Sequence, residues 1–133
     1  MATQTLSSSN GLLRRALQAD GLFGIAGGLL CTFGANPIAS FMGLANSLPI
    51  LVIGLGLLAW GVGLLALAAR PVIDRRLTTF IILANVVWVI GSAIILAADL
   101  FGLTTGGRWA VLVVADVVLL FALAEFAGLR REG

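Results

Sequence analysis

Residues Pro49–Ala69 read PILVIGLGLLAWGVGLLALAA, 21 positions without a charged side chain. A bilayer core about 30 Å thick is crossed by roughly 20 such residues at a rise of about 1.5 Å each. A surface helix of this length in water would carry a polar face, and this stretch has none. Three more apolar stretches accompany it: Gly21–Ala35, Leu77–Ala98 and Trp109–Gly128. The four together predict an all-α fold, an integral membrane four-helix bundle. Composition agrees. The chain is 60% hydrophobic and 11% charged, with a mean hydropathy of +1.13, whereas soluble domains are about a quarter charged.

At 133 residues there is room for one membrane domain and little else. The expected domain covers 10–133, with helices at about 12–35, 49–69, 77–98 and 109–128. Residues 1–9 are rich in Ser and Thr and read as a disordered polar tail, with Asn10 as an N-cap. Leu12, Leu13, Ala16 and Leu17 share a helical face, which extends the short first stretch backwards to spanning length. Arg14-Arg15 ahead of an apolar run resembles a targeting peptide. The long polar lead, Asp20 and the lack of a small-x-small cut site predict that it stays in place. Asn36-Pro37 closes the first helix and opens a short interfacial one carrying Ile38, Phe41 and Met42. Ser47 and Pro49 repeat that start signal. Pro71 follows the second helix, Thr104–Gly107 forms a turn, and Trp109 is an interfacial anchor.

All eight basic residues are arginine. Four crossings put Arg14, Arg15, Arg70, Arg75, Arg76, Arg130 and Arg131 on one side and Arg108 on the other. The positive-inside rule then predicts both termini in the cytoplasm. An arginine-only basic set in a chain full of Ala, Gly, Leu and Val suggests a GC-rich bacterium, hence a bacterial cytoplasmic (inner) membrane. The arginines flank lipid-spanning segments, so the high pI does not point to nucleic acid. Met42-Gly43-Leu44 lies 59 positions before Phe101-Gly102-Leu103, a spacing expected of two parallel repeats.

Helices associate in lipid where small residues let backbones approach. Gly21, Gly24, Gly28, Cys31 and Ala35 make such a line on the first helix, and Gly56, Ala59, Gly63 and Ala66 on the second. Ala84, Gly91 and Ala98 follow on the third, and Ala115 and Ala122 on the fourth. These lines predict packing within the chain or against another subunit.

The remaining signals are polar residues inside apolar stretches. Asp116 lies about 10 Å into the fourth helix at the helical rise, where an aspartate costs about 2.5–3.5 kcal/mol on insertion scales. It is expected to face inward, with Ser92 as a depth-matched partner, or toward a partner. Glu125 is expected to pair with Arg130, Arg131 or the middle-loop arginines. It also lies within a turn in depth of Asn85, which is about 12 Å into the third helix. Asn85 and Glu125 would then form an interhelical hydrogen bond or one wall of a polar pocket. Asp20 is level with Arg75 and Arg76. Trp60 and Trp88 sit mid-helix, where they fill space or stack against a flat apolar ligand.

With no histidine and one cysteine, Cys31, no usual metal site is expected, and neither is a haem or an iron–sulfur cluster. No phosphate loop or nucleophile–base set is present, so an enzyme is not expected, nor a resident cofactor. The pattern Asn85-x-x-Trp88 with Ser92, and the ending Asp116…Gly128-Leu129-Arg130-Arg131, resembles a group of small bacterial four-helix membrane proteins. The resemblance runs from about Arg14 to Arg131 and implies a fold but no activity. Three functional readings remain. The first is a non-catalytic accessory or assembly subunit of a larger membrane complex. The second is a small oligomeric transporter or channel using Asp116 as its proton- or ion-responsive group. The third is a binder of an apolar pigment, quinone or lipid near Trp60 and Trp88. The expected partners are the bilayer and other membrane subunits or further copies of the chain.

Overall fold

The computed structural model describes residues 2–132, and their side chains over 11–131. Its elements are α1 (Ala2–Phe33), α2 (Ala35–Met42), α3 (Leu48–Ala68), α4 (Arg75–Ala98) and α5 (Thr105–Glu132). Four helical segments are long and apolar enough to cross a membrane: Gly11–Phe33 of α1, α3, α4, and Thr105–Arg131 of α5. The chain is a multi-pass membrane protein. Its outward faces carry Leu30, Val52, Val62, Val87 and Leu120, all exposed. In water, an apolar surface this extensive would drive aggregation; in lipid it is the solvated surface.

α1 starts at Ala2, ahead of the helix start expected at Asn10, so residues 2–9 of the expected 1–9 tail are continuous helix, and Met1 lies outside the described residues. Ser and Thr are mild helix formers rather than breakers, and no proline interrupts the lead. The short helix after α1 is present. Its N-cap is Gly34, not Asn36, and Pro37 lies in the first turn, where a missing N–H leaves nothing unpaired. At the start of α3, Asn46 Oδ1 accepts from the Leu48 N–H at 2.9 Å. Asp74 caps α4, its Oδ1 accepting from Arg76 N–H at 2.8 Å and Leu77 N–H at 3.3 Å.

α1 packs on α3 and on α5, and α4 packs on α5. Consecutive helices normally neighbour one another. α3 and α4 do not: no Cα atom of one comes within 8 Å of the other. The long helices therefore form an open arc in the order α3, α1, α5, α4, with a gap between α3 and α4. Near the arginine-rich end, the side chains of Leu64, Leu67, Ala68, Ile73 and Ile81 cluster with Leu13, Leu17 and Leu129.

Glycine makes the α1–α3 contact. A Cβ added to Gly28 would lie 2.8 Å from the Gly54 carbonyl oxygen, and one on Gly61 would lie 2.6 Å from that of Gly21. Gly24 faces Leu57 and Gly61 less tightly, an added Cβ lying 3.2 Å from the Leu57 carbonyl oxygen. The expected α1 line of Gly21, Gly24 and Gly28 thus holds. The expected α3 line does not: Gly56, Ala59 and Gly63 are exposed, and an added Cβ on Gly56 or Gly63 would meet nothing within 4 Å. The packed line is Gly54–Gly61–Ala68, all buried and seven residues apart. α3 is apolar all round, so its sequence carries no polar face to tell one small-residue line from another. On α4 the buried line is Thr78–Ile81–Asn85–Ser92, one position beyond the expected Ala84–Gly91–Ala98.

Arginines close the helix ends. Arg14 of α1 donates to the carbonyls of Ala68, Arg70 (2.8 Å) and Pro71 (3.3 Å) at the end of α3. Arg75 donates to Leu129 O of α5 at 3.1 Å. Arg108 donates to Leu96 O of α4 at 2.7 Å and pairs with Asp99 at 3.3 Å. Each guanidinium satisfies carbonyls left unpaired in a last helical turn and offsets the negative end of that helix dipole. These bonds put the start of α1, the α3–α4 link and the end of α5 at one end of the molecule. At the other end, Thr104 donates from N–H to Met42 O (3.0 Å) and from its hydroxyl to Phe41 O (2.5 Å). The matched Gly43 and Gly102 both adopt positive φ, 82° and 59°, but Gly43 is the C-cap of α2 whereas Gly102 lies beyond Asp99, the C-cap of α4. The packing is not repeated, because α1–α5 contact has no counterpart between α3 and α4.

Gly61→Ala should lower stability by about 1–3 kcal/mol, the usual cost of forcing a methyl into a filled contact. Gly63→Ala should leave stability unchanged or slightly raised. Unfolding midpoints of the two variants in mixed micelles test the assignment.

Candidate functional site

Buried positions on α5 recur at Ala115, Val118, Ala122, Glu125 and Leu129, spaced 3, 4, 3 and 4. On α4 they include Thr78, Ile81, Asn85 and Ser92, and on α1 Leu13, Ala16, Leu17 and Asp20. Three of these residues meet. Asn85 Nδ2 donates to Asp20 Oδ2 at 2.9 Å and to Glu125 Oε1 at 3.0 Å. Asp20, Asn85 and Glu125 are only 3%, 5% and 0% exposed. One amide group thus uses both of its N–H bonds to hold two carboxyls from different helices.

The cluster is unsaturated. Glu125 Oε2 is buried without a hydrogen-bond partner. Buried carboxyl oxygens without donors are costly, and two carboxyls sharing one site disfavour a second negative charge. The expected Asp20 partners are committed elsewhere or distant: Arg75 binds Leu129 O, and Arg76 is exposed on the first turn of α4. The sequence indicated the Asn85–Glu125 hydrogen bond. It missed Asp20 as the third member, although Asp20 continues the buried line of Leu13, Ala16 and Leu17.

A cavity of about 260 Å³ opens beside this cluster, in the α3–α4 gap. Asp20 and Asn85 form part of its wall, and Trp60, Trp88, Phe23 and Val118 supply much of the apolar remainder. Trp60 also meets Phe80 of α4, ring centroids 6.5 Å apart. Gly24 and Gly56 line the same space. The absence of a side chain at Gly56, expected to serve packing, instead keeps the cavity open.

Asp116 is not part of this site. It is exposed on α5, whereas Ser92 is buried on α4, and no hydrogen bond joins them. The α5 buried line runs through Ala115, and one residue further round the helix turns a side chain by about 100°. Glu125 likewise faces inward to Asn85, not outward to the interfacial arginines.

Chemically, the cluster can exchange a proton and form hydrogen bonds through its two carboxyls and one amide. Among the described residues no three His, Cys, Asp or Glu side chains gather as a metal site. Comparison with protein-family models, curated proteins and solved structures finds no match.

Asn85→Ala removes the donor shared by both carboxyls and should cost about 2–4 kcal/mol, given roughly 1.5–3 for a hydrogen bond to a charged group. Asp116→Leu should not be destabilising. Comparing their unfolding midpoints checks which acidic residues the fold depends on.

Proposed function

We propose that this chain is a non-catalytic membrane protein that binds a lipophilic molecule drawn sideways from the bilayer. The ligand body lies between Trp60 and Trp88, and its head reaches Asp20 and Asn85. The supporting observation is the coincidence, on one cavity, of a tryptophan pair with Asp20 and Asn85 of the buried carboxyl–amide cluster. Binding sites are commonly apolar with a few convergent polar groups, and this cavity has that form. Asp20 presents a carboxyl on the cavity wall, so an amine, an ammonium or a hydroxyl head fits, and a carboxylate, which the acidic pair repels, does not. The gap between α3 and α4 gives entry from lipid without passage through water.

The arginine-rich end faces the cytoplasm of a bacterial cell, with the membrane being the inner one; seven of eight arginines at that end support this. A transport route through the chain would pass Asp20, Asn85 and Glu125, since Asp116 lies off the cavity.

Brominated-chain amphiphiles bearing amine, hydroxyl or carboxylate heads test the binding in a Trp109→Phe background, where only Trp60 and Trp88 report. The amine and hydroxyl forms should quench saturably, and the carboxylate form at least tenfold more weakly. Gly56→Leu should abolish saturable quenching while leaving stability intact, because a side chain there meets no backbone. Equal, non-saturating quenching by all three heads rejects the proposal.

Orientation is tested separately with Cys31→Ser carrying Ala45→Cys or Val72→Cys, both at exposed loop positions. An impermeant thiol reagent should label the first in intact cells and the second only after permeabilisation. The opposite pattern inverts the topology.

A further inference from the structure

The outward face of α5 is a second feature, independent of the cavity. Trp109, Val113, Asp116, Leu120, Leu123 and Ala127 follow one another at spacings of 4, 3, 4, 3 and 4, and all six are exposed. That is the heptad spacing of a helix–helix seam, on the side of α5 turned away from α1 and α4. An apolar seam alone is an ordinary lipid-facing surface. Asp116 makes this one different. It lies about 10 Å below Trp109 at the helical rise, too deep for a short aspartate side chain to reach the headgroups. Among the described residues it has no hydrogen-bond or ionic partner. Aspartate facing hydrocarbon is rare, and such residues normally meet a complementary group.

We propose that this face docks a transmembrane helix of a different protein, one that carries an arginine or lysine at mid-membrane depth to meet Asp116. Charge complementarity selects this occupant. A second copy of the chain cannot supply the cation, because none of its membrane segments holds a basic residue at that level. Arg108 is about 12 Å toward the helix start and is engaged with Leu96 O and Asp99. The remaining arginines lie at the other end. A single polar group on an otherwise apolar seam fixes register and partner choice, which is what an accessory subunit of a membrane complex requires.

The test co-reconstitutes the full chain in nanodiscs with poly-leucine transmembrane peptides that differ only at the centre: arginine, glutamate or leucine. Energy transfer from a donor on the chain to an acceptor on the peptide measures association. The arginine peptide should associate at least tenfold more tightly than the other two. Asp116→Leu should remove that preference and Asp116→Glu should retain it. Near-ultraviolet circular dichroism of both variants should match the parent chain, since Asp116 is exposed and makes no hydrogen bond or ion pair among the described residues. Equal association of all three peptides overturns the proposal. So does self-association of the chain that requires Asp116 in the absence of peptide, which would make a second copy the occupant.

Discussion

The backbone contact of α1 with α3 governs the arrangement of the other helices. Lipid provides no hydrophobic drive between apolar helices, so association depends on how closely their backbones approach. At Gly21 against Gly61, and at Gly28 against Gly54, no side chain separates the two helices. α1 has a second buried face for α5, through Leu13 against Gly128 and Phe23 against Phe121, whose rings are 5.5 Å apart. α4 is then left to pack on α5 alone. The α3–α4 gap follows from α3 being held on α1. The cavity therefore follows from the close α1–α3 packing and is not a defect beside it.

That geometry separates the intramembrane acids into two kinds. Asp20 and Glu125 lie on buried lines and converge on Asn85. Asp116 lies off the corresponding line and faces outward. The first kind is satisfied in part by the fold, with Asp20 also on the wall of a cavity. The second is not satisfied by the fold at all. A carboxyl in hydrocarbon must be neutral, paired or absent, so the two kinds imply different complements: a small molecule with a donating head for one, a protein helix for the other.

Much of the architecture could be read from the sequence. The four spans, a short helix carrying Ile38, Phe41 and Met42, and the α1 glycine line are all present as the residues indicate, though the short helix starts at Ala35. Three features were not legible, for physical reasons. The packed line of α3 was hidden because an all-apolar helix has no face to contrast with; only the complementary glycines of α1 choose Gly54 and Gly61 over Gly56 and Gly63. The place of Asp116 was misjudged although the signal existed: Ala115 and Ala122 extended at spacings of 3 and 4 reach Glu125 and miss Asp116. Depth alone does not give direction, and helical phase does. The cluster's third member, Asp20, was obscured by proximity to arginines that the structure commits to helix-end carbonyls.

Those arginines connect topology to packing. A helix end in or near a bilayer leaves carbonyls that neither lipid nor the helix itself can satisfy. Arg14 closes α3, Arg75 closes α5 and Arg108 closes α4, in each case from a different segment of the chain. The same charges that hold a loop on one side of the membrane thus also tie neighbouring helices together at their ends. Arg14, Arg75 and Arg108 are committed in this way, so none of these three neutralises Asp20 or Glu125. The carboxyl of Asp20 on the cavity wall keeps its acidic character with respect to them, and that character decides which head groups the cavity can recognise.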